Sequence, residues 1–435
     1  MSHLWDAVKS RLPRGQFARE VAKLSGGAVV AQGIGIAAMP VITRLYTPDQ
    51  FGILGVFISI ITILFAVSAL GYEIAIPLPE SLVTSANLLL LSLIITVVFS
   101  SLVGVTLTFF RGSLSDTVGS QMANTFVWLV PLGVLGGGLY NVLSFWAILR
   151  KDFGRIVRTK IAKVVGMVSG QIALGLLGIG SKGLIFGDIV GRMSGNGTLG
   201  FLAFHRDRQI IRKASWQGIL DAARLYKRFP QFTSGAILLD RIGKEAPALL
   251  LAAFYGPQIA GWFVLGQKVI AIPMRFVGQA VAQVYLGEFS EKIRNKFKGV
   301  SGLYIRTAGH LLKFIIVPMI VLMVSSSWLF EFVFGEKWRE SGVYVQILGV
   351  AFVAQFVVSP LSQTLNLVGR QEWQLLWSGL RSVIVLGGIG IAWRMGLSPR
   401  SAISIYAITT LIAYLFHFYL SRMAIKLYEE ENLPV

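Results

Sequence analysis

Nine ionisable residues lie within long apolar stretches of this chain. The bases are Arg192, Arg241, Lys244, Lys268, Arg275 and Arg381, and the acids are Asp188, Asp240 and Glu245. A charge at the centre of a hydrocarbon layer costs roughly 2.5 to 3.5 kcal/mol even on lenient scales, so it must face a wet cavity or a partner. Arg grips phosphate or carboxylate bidentately and Lys grips it as a point charge, which makes the six bases candidates for binding an anionic substrate. The three acids are candidates for binding a coupling proton or cation. Asp188 and Arg192, Asp240 and Lys244, and Arg241 and Glu245 are each four residues apart. At that spacing both partners share one helix face, so simple ion pairs are the competing reading. If Lys268 lies near, two acids face three bases, and the balance is positive. No acid lies within a turn or two of Lys268 on its own stretch.

The elements that carry these residues are read as transmembrane helices. Of 435 residues, 54% are hydrophobic and only 14% charged, against about 25% charged in soluble proteins. Mean hydropathy is +0.68. A helix needs about 20 apolar residues to cross the hydrocarbon core. Twelve such spans are expected, starting near Leu24, Phe51, Asn87, Gln121, Ile161, Gly183, Gln231, Gln258, Leu303, Val343, Gln374 and Arg400. At 1.5 Å per residue, Arg192, Asp240, Arg241, Lys244 and Lys268 fall roughly 14–20 Å deep, near the midplane. The fold class is therefore all-α and polytopic. The expected organisation is a cytoplasmic segment at 1–23, a six-helix lobe at 24–204, and a basic cytoplasmic linker at 205–230. A second six-helix lobe follows at 231–424, then a tail at 425–435.

Basic residues cluster on alternate connections, around 150–163, 206–228 and 292–298. That asymmetry puts both termini in the cytoplasm. Two segments have amphipathic helical spacing beside basic residues, and fit helices lying on the membrane surface. One contains Leu4, Trp5, Val8 and Leu12; the other contains Trp216, Ile219, Leu220 and Ala223. Arg306, His310 and Lys313 form one stripe that reads as snorkelling toward anionic lipid.

An even number of spans per half makes any repeat a parallel one. "YTPDQFG" after the first span and "YGPQIAG" after the seventh both show Pro-x-x-x-Gly, and the preceding spans carry Pro40 and Pro247. These two prolines are candidate helix breaks or hinges.

Several functions are set aside. The formal charge of +19 sits in loops and so does not point to nucleic acid. Cysteine is absent and the four histidines are scattered, so no metal site is expected, and no cofactor. Gly33-Ile-Gly35-Ile-Ala-Ala38 matches a dinucleotide fingerprint only as text, lacking a preceding strand.

The stretch from Tyr226 to Lys292, with "YKRFPQF" and "GWFVLGQKVIAIPMRFVGQAVAQVYLGEFSEK", resembles the polysaccharide-export flippases of the MOP superfamily, which act in O-antigen and lipopolysaccharide biosynthesis. "AAMPVITRLYTPDQFGILGVF" resembles the first two helices of the same family. The resemblance implies two six-helix lobes around a central cavity that opens alternately to each side. It implies export of an undecaprenyl-diphosphate-linked oligosaccharide across a bacterial inner membrane, with membrane lipids as surroundings, polysaccharide polymerase machinery as a further partner, and no enzymatic activity. A basic cavity suits a diphosphate. The rival readings are a multidrug or small-molecule antiporter of the same fold, which should prefer an acidic cavity, and a membrane-embedded polymerase or ligase, which needs a larger outer loop.

Overall fold

The computed structural model describes residues 16–112, 120–294 and 299–432. Among these residues the chain is helical and contains no strand. The segment with Leu4, Trp5, Val8 and Leu12 lies outside them. The long helices are α1 (Gln16–Leu45), α2 (Pro48–Phe65), α3 (Leu82–Phe109), α4 (Ser120–Leu149), α5 (Phe153–Leu176) and α6 (Ser181–Met193). After the linker helix α7 (Trp216–Leu225) come α8 (Ser234–Tyr255), α9 (Pro257–Ile270), α10 (Gln279–Arg294), α11 (Val300–Phe334), α12 (Arg339–Val358), α13 (Gln371–Arg394) and α14 (Pro399–Asn432).

Eight of the helical segments described are long and apolar enough to cross a membrane, and the bent pair α9–α10 makes a ninth. The protein is thus a multi-pass membrane protein. Three of the twelve expected spans fall on α5, α6 and α8. These fall short by length and composition. α6 has only 13 residues. α5 carries Arg155, Arg158, Lys160 and Lys163, and α8 carries Asp240, Arg241, Lys244 and Glu245. The charges that suggest a function are the same ones that lower the apolarity of these helices.

Local chemistry sets the starts of the helices. α2 opens with a reciprocal cap. The Gln50 amide N–H donates to Thr47 Oγ1 (3.4 Å), while the Thr47 N–H donates to Gln50 Oε1 (3.1 Å). Pro48 occupies the first helical position, where its missing N–H would have no partner anyway. α9 starts the same way with Pro257, after Gly256 at φ 93°. Neither candidate hinge proline breaks its helix: α1 runs on through Pro40 and α8 through Pro247. The break occurs instead between Ile270 and Met274, where the chain bends by 46° beside Pro273.

The chain divides into two compact units. The first comprises residues 1–45 and 60–238; the second comprises 46–59 and 239–435. The core of the first unit is built on Leu88, Leu89, Tyr140, Trp146, Ile156 and Leu202. α7 seals one end of it. Ile219 and Ala222 are buried, the Ser215 N–H donates to Asn87 Oδ1 (3.2 Å), and Tyr72 Oη donates to the Ala223 carbonyl (3.0 Å). Its other face leaves Trp216, Leu220 and Leu225 exposed beside Arg224, so the apolar face read from the sequence is divided: Ile219 packs inward while Trp216 and Leu220 face out.

In the second unit, α11 and α12 pack closely enough that Ser326 Oγ donates to the Gly342 carbonyl (2.8 Å). Residues 48–59, the first two thirds of α2, belong to this unit. There the two Pro-x-x-x-Gly junctions meet. A Cβ on Gly52 would overlap the Pro257 carbonyl oxygen and lie 2.5 Å from its carbon. A Cβ on Gly261 would overlap the Pro48 carbonyl oxygen and lie 2.9 Å from the Gly52 nitrogen. Each glycine therefore receives the backbone of the opposite junction. Phe51 packs edge-on against the buried Trp338 ring at 4.8 Å.

Candidate functional site

The second unit encloses a cavity of about 210 Å³ whose walls come from α8, α9, α12, α13 and α14. Its polar lining includes Lys244, Gln267, Gln355, Arg381, Tyr406 and Tyr414. Arg381 is the central base. Its guanidinium lies 5.0 Å from the Trp377 ring, and Nη1 donates to Tyr414 Oη over a long 3.4 Å. Trp377 is fixed by donating Nε1–H to the Ala413 carbonyl (2.8 Å) and by packing against Tyr414 and His417. Gly243 makes room on α8. A Cβ there would lie 2.6 Å from Ser382 Oγ and 3.5 Å from Arg381 Nη2. On the facing wall Gln267 Nε2 donates to Tyr406 Oη (2.9 Å). Lys244 pairs with Asp240 at 2.8 Å, with both side chains about half exposed.

The remaining candidates are distributed as follows. In the first unit Arg192 pairs with Asp188, one turn earlier on α6. Nearby, Lys163 Nζ sits 3.6 Å above the Tyr140 ring, and Tyr140 Oη shares a hydrogen bond with Thr159 Oγ1 (3.2 Å). In the second unit Glu245 Oε2 accepts from Ser59 Oγ (3.0 Å). Arg241 is half-buried on α8. Arg275 lies in the turn Met274–Gly278 at the α9–α10 bend, where Met274 also lines the cavity. Lys268 is half-buried near the end of α9, and it has a partner in the fold. An isolated ammonium is therefore not what the fold provides at that position. Of the nine candidates, Lys244 and Arg381 line the same cavity. Arg306, His310 and Lys313 are exposed along α11.

The sequence reading missed Gln267, Gln355, Tyr406 and Tyr414, because single polar groups in apolar helices look like ordinary core positions. It also missed Lys163, which sits in a basic run and was counted as a cytoplasmic loop charge. Among the described residues no cluster of His, Cys, Asp or Glu could hold a metal ion.

An all-helical chain in two helical units, with polar groups enclosed by apolar helices, has the architecture of a membrane transporter. Its fold is similar to that of an inward-facing multidrug resistance MATE family transporter of the MOP superfamily. The TM-score is 0.69 over 92% of this chain and 96% of that one, at 14% identity. A MATE structure in complex with MaL6 gives 0.63 over 97% and 99%, at 15% identity. The chain belongs to the polysaccharide biosynthesis protein family, whose model matches residues 41–343. It is 22% identical to the succinoglycan biosynthesis transport protein of Rhizobium meliloti, over 86% of this chain and 74% of that one. It is 22% identical to a lipopolysaccharide biosynthesis protein of Escherichia coli, over 84% and 73%. It is also 24% identical to the teichuronic acid biosynthesis protein of Bacillus subtilis, a match covering 46% of this chain and spanning 41% of the relative's length.

Proposed function

We propose that this protein is a flippase that carries a lipid-linked oligosaccharide from the cytoplasmic to the outer leaflet of a bacterial inner membrane. The observation that carries the reading is the family membership, joined to a transporter fold whose helices hold partly buried bases in both units. The lipid anchor stays in or beside the bilayer while the sugar headgroup crosses by alternating access. Undecaprenyl diphosphate is the carrier we propose. Lys268, Arg192, Arg241, Lys244, Arg275 and Arg381 are the bases proposed to meet the anionic headgroup. Asp188, Asp240 and Glu245 are the proposed coupling acids. Each already has a protein partner, so coupling requires that partner to release it. Both termini and the linker are proposed to be cytoplasmic, with polysaccharide polymerase machinery receiving the product.

A multidrug antiporter is the reading that the MATE likeness favours. It fits the basic cavity poorly, because a cationic drug would meet Arg381 and Lys244 there. The experiment that decides is a proteoliposome assay with a fluorescent undecaprenyl-diphosphate oligosaccharide. Protein-dependent loss of access to an outside quencher or glycosidase supports flipping. Drug transport without lipid flipping would reverse the assignment.

A further inference from the structure

We propose that the cavity of the second unit binds the carboxylate of an acidic sugar, so that the protein selects glycans bearing a uronic-acid or similarly charged unit. This deepens the flippase reading above and rests on it. Arg381 carries the argument. Among the described residues no Asp or Glu lies within ion-pair distance of its guanidinium. One edge reaches Tyr414 only at 3.4 Å and one face rests on Trp377, so most of the planar donor fork is held in place yet unused. A fixed fork of this kind matches a carboxylate bidentately. A half-buried guanidinium without an anion is costly, and a bound anion removes that cost.

The other walls distinguish a sugar from a bare phosphate. Phe352, Tyr406 and Tyr414 offer aromatic surface for the apolar face of a ring, and Gln267 and Gln355 offer amides to hydroxyl groups. Side-chain amides and phenol hydroxyls accept as well as donate, which suits hydroxyls. A phosphate calls for donors throughout. At about 210 Å³ the cavity is smaller than a site for a drug-sized ligand, which spans roughly 300–1,000 Å³. It has room for one monosaccharide ring, while the rest of the chain and the lipid diphosphate stay outside. The half-exposed Lys244–Asp240 pair borders it, leaving a net charge of +1 when Arg381 is included.

The test uses the full-length protein in lipid nanodiscs, with ligand binding read by saturation-transfer NMR and by intrinsic tryptophan fluorescence. The probes are methyl glucuronide, methyl glucoside and inorganic pyrophosphate. The glucuronide should bind at least tenfold tighter than the glucoside, and pyrophosphate should not displace it. Arg381→Gln should weaken glucuronide binding by about 10- to 100-fold, the scale of a lost charge-assisted hydrogen bond. Arg381→Lys should recover part of it. Should Arg381→Gln fail to fold, the wild-type comparison of glucuronide with glucoside still decides.

Equal binding of the two glycosides, or none, overturns the proposal. Competitive displacement by pyrophosphate also overturns it and gives the site to the lipid diphosphate. The two readings fail separately. A protein that binds glucuronide but flips no lipid-linked glycan keeps the cavity assignment and loses the export function. A protein that flips neutral and acidic glycans equally, with Arg381→Gln unaffected, keeps export and loses the cavity assignment.

Discussion

Replacing Gly52 with alanine tests whether the paired Pro-x-x-x-Gly junctions hold the second unit together. The new methyl would lie 2.5 Å from the Pro257 carbonyl carbon and 3.0 Å from its Cα. Carbon–carbon contacts are comfortable at about 3.5–4.0 Å, so α2 and α9 must part by roughly 1 Å. The obstacle is backbone, and no rotamer change can relieve it. Overpacking of this kind costs typically about 1–3 kcal/mol. Parting the helices also disturbs the Phe51–Trp338 contact, and aromatic pairs contribute about 0.5–1.5 kcal/mol. A destabilisation of about 2–4 kcal/mol follows. Gly261→Ala should behave alike, because its methyl meets Pro48 and Gly52. The double variant should cost less than the sum, since one separation accommodates both methyls. Gly309→Ala is the control, having open space at its Cβ. The assay is thermal denaturation in detergent, followed by size-exclusion fluorescence. Wild-type melting of both single variants, or strict additivity in the double, would refute the reasoning.

Three further outcomes are expected. Asp188→Asn leaves the partly buried Arg192 without its counter-charge, and should cost up to about 3 kcal/mol; converting Arg192 to Met as well should restore folded protein, as measured by expression and melting. Glu73 lies between α2 and α3, with Oε1 accepting from Asn141 (3.3 Å) and Oε2 buried without a partner; burial pushes its pKa up. The folded state therefore holds this proton more tightly than the unfolded chain, so the contribution is present at low pH and is lost as pH rises from the unfolded pKa toward the folded one. Glu73→Gln should then raise melting temperature more at pH 8 than at pH 5, and an equal shift at both would count against it. The chain has no cysteine, so single cysteines between 206 and 228 can be labelled cleanly; protection from an impermeant maleimide in intact cells is expected, and labelling would invert the topology.

Spacing within one helix was the most legible feature of the sequence. The pairs Asp188–Arg192 and Asp240–Lys244 form as read, because helix geometry places residues four apart on one face. Pairing between helices was hidden. Glu245 was matched on paper with Arg241, yet it accepts from Ser59, 186 residues earlier in the chain. Lys163 was hidden for a different reason: its partner is the face of Tyr140, and an aromatic ring in an apolar run carries no sign of a nearby cation. The cavity shows the same limit. Its bases were visible as charges, but Gln267, Tyr406 and Tyr414 gain meaning only once five helices converge. The Pro-x-x-x-Gly repeat was readable as a repeat, whereas the mutual seating of its two copies was not.

That mutual seating imposes an order on synthesis. Residues 46–59 belong to the second unit, and their partners on α9 begin at Pro257. Roughly 200 residues must be made between the two, which takes about 10–40 s at 5–20 residues per second. During that interval this part of α2 is already in the membrane, its Gly52 groove open and Phe51 without Trp338. The nascent chain therefore passes through a stage in which the second unit's earliest piece waits for the rest. A ribosome stalled between α8 and α9 should leave a cysteine at position 51 reactive, and the reactivity should vanish once Trp338 has been made and packed over it.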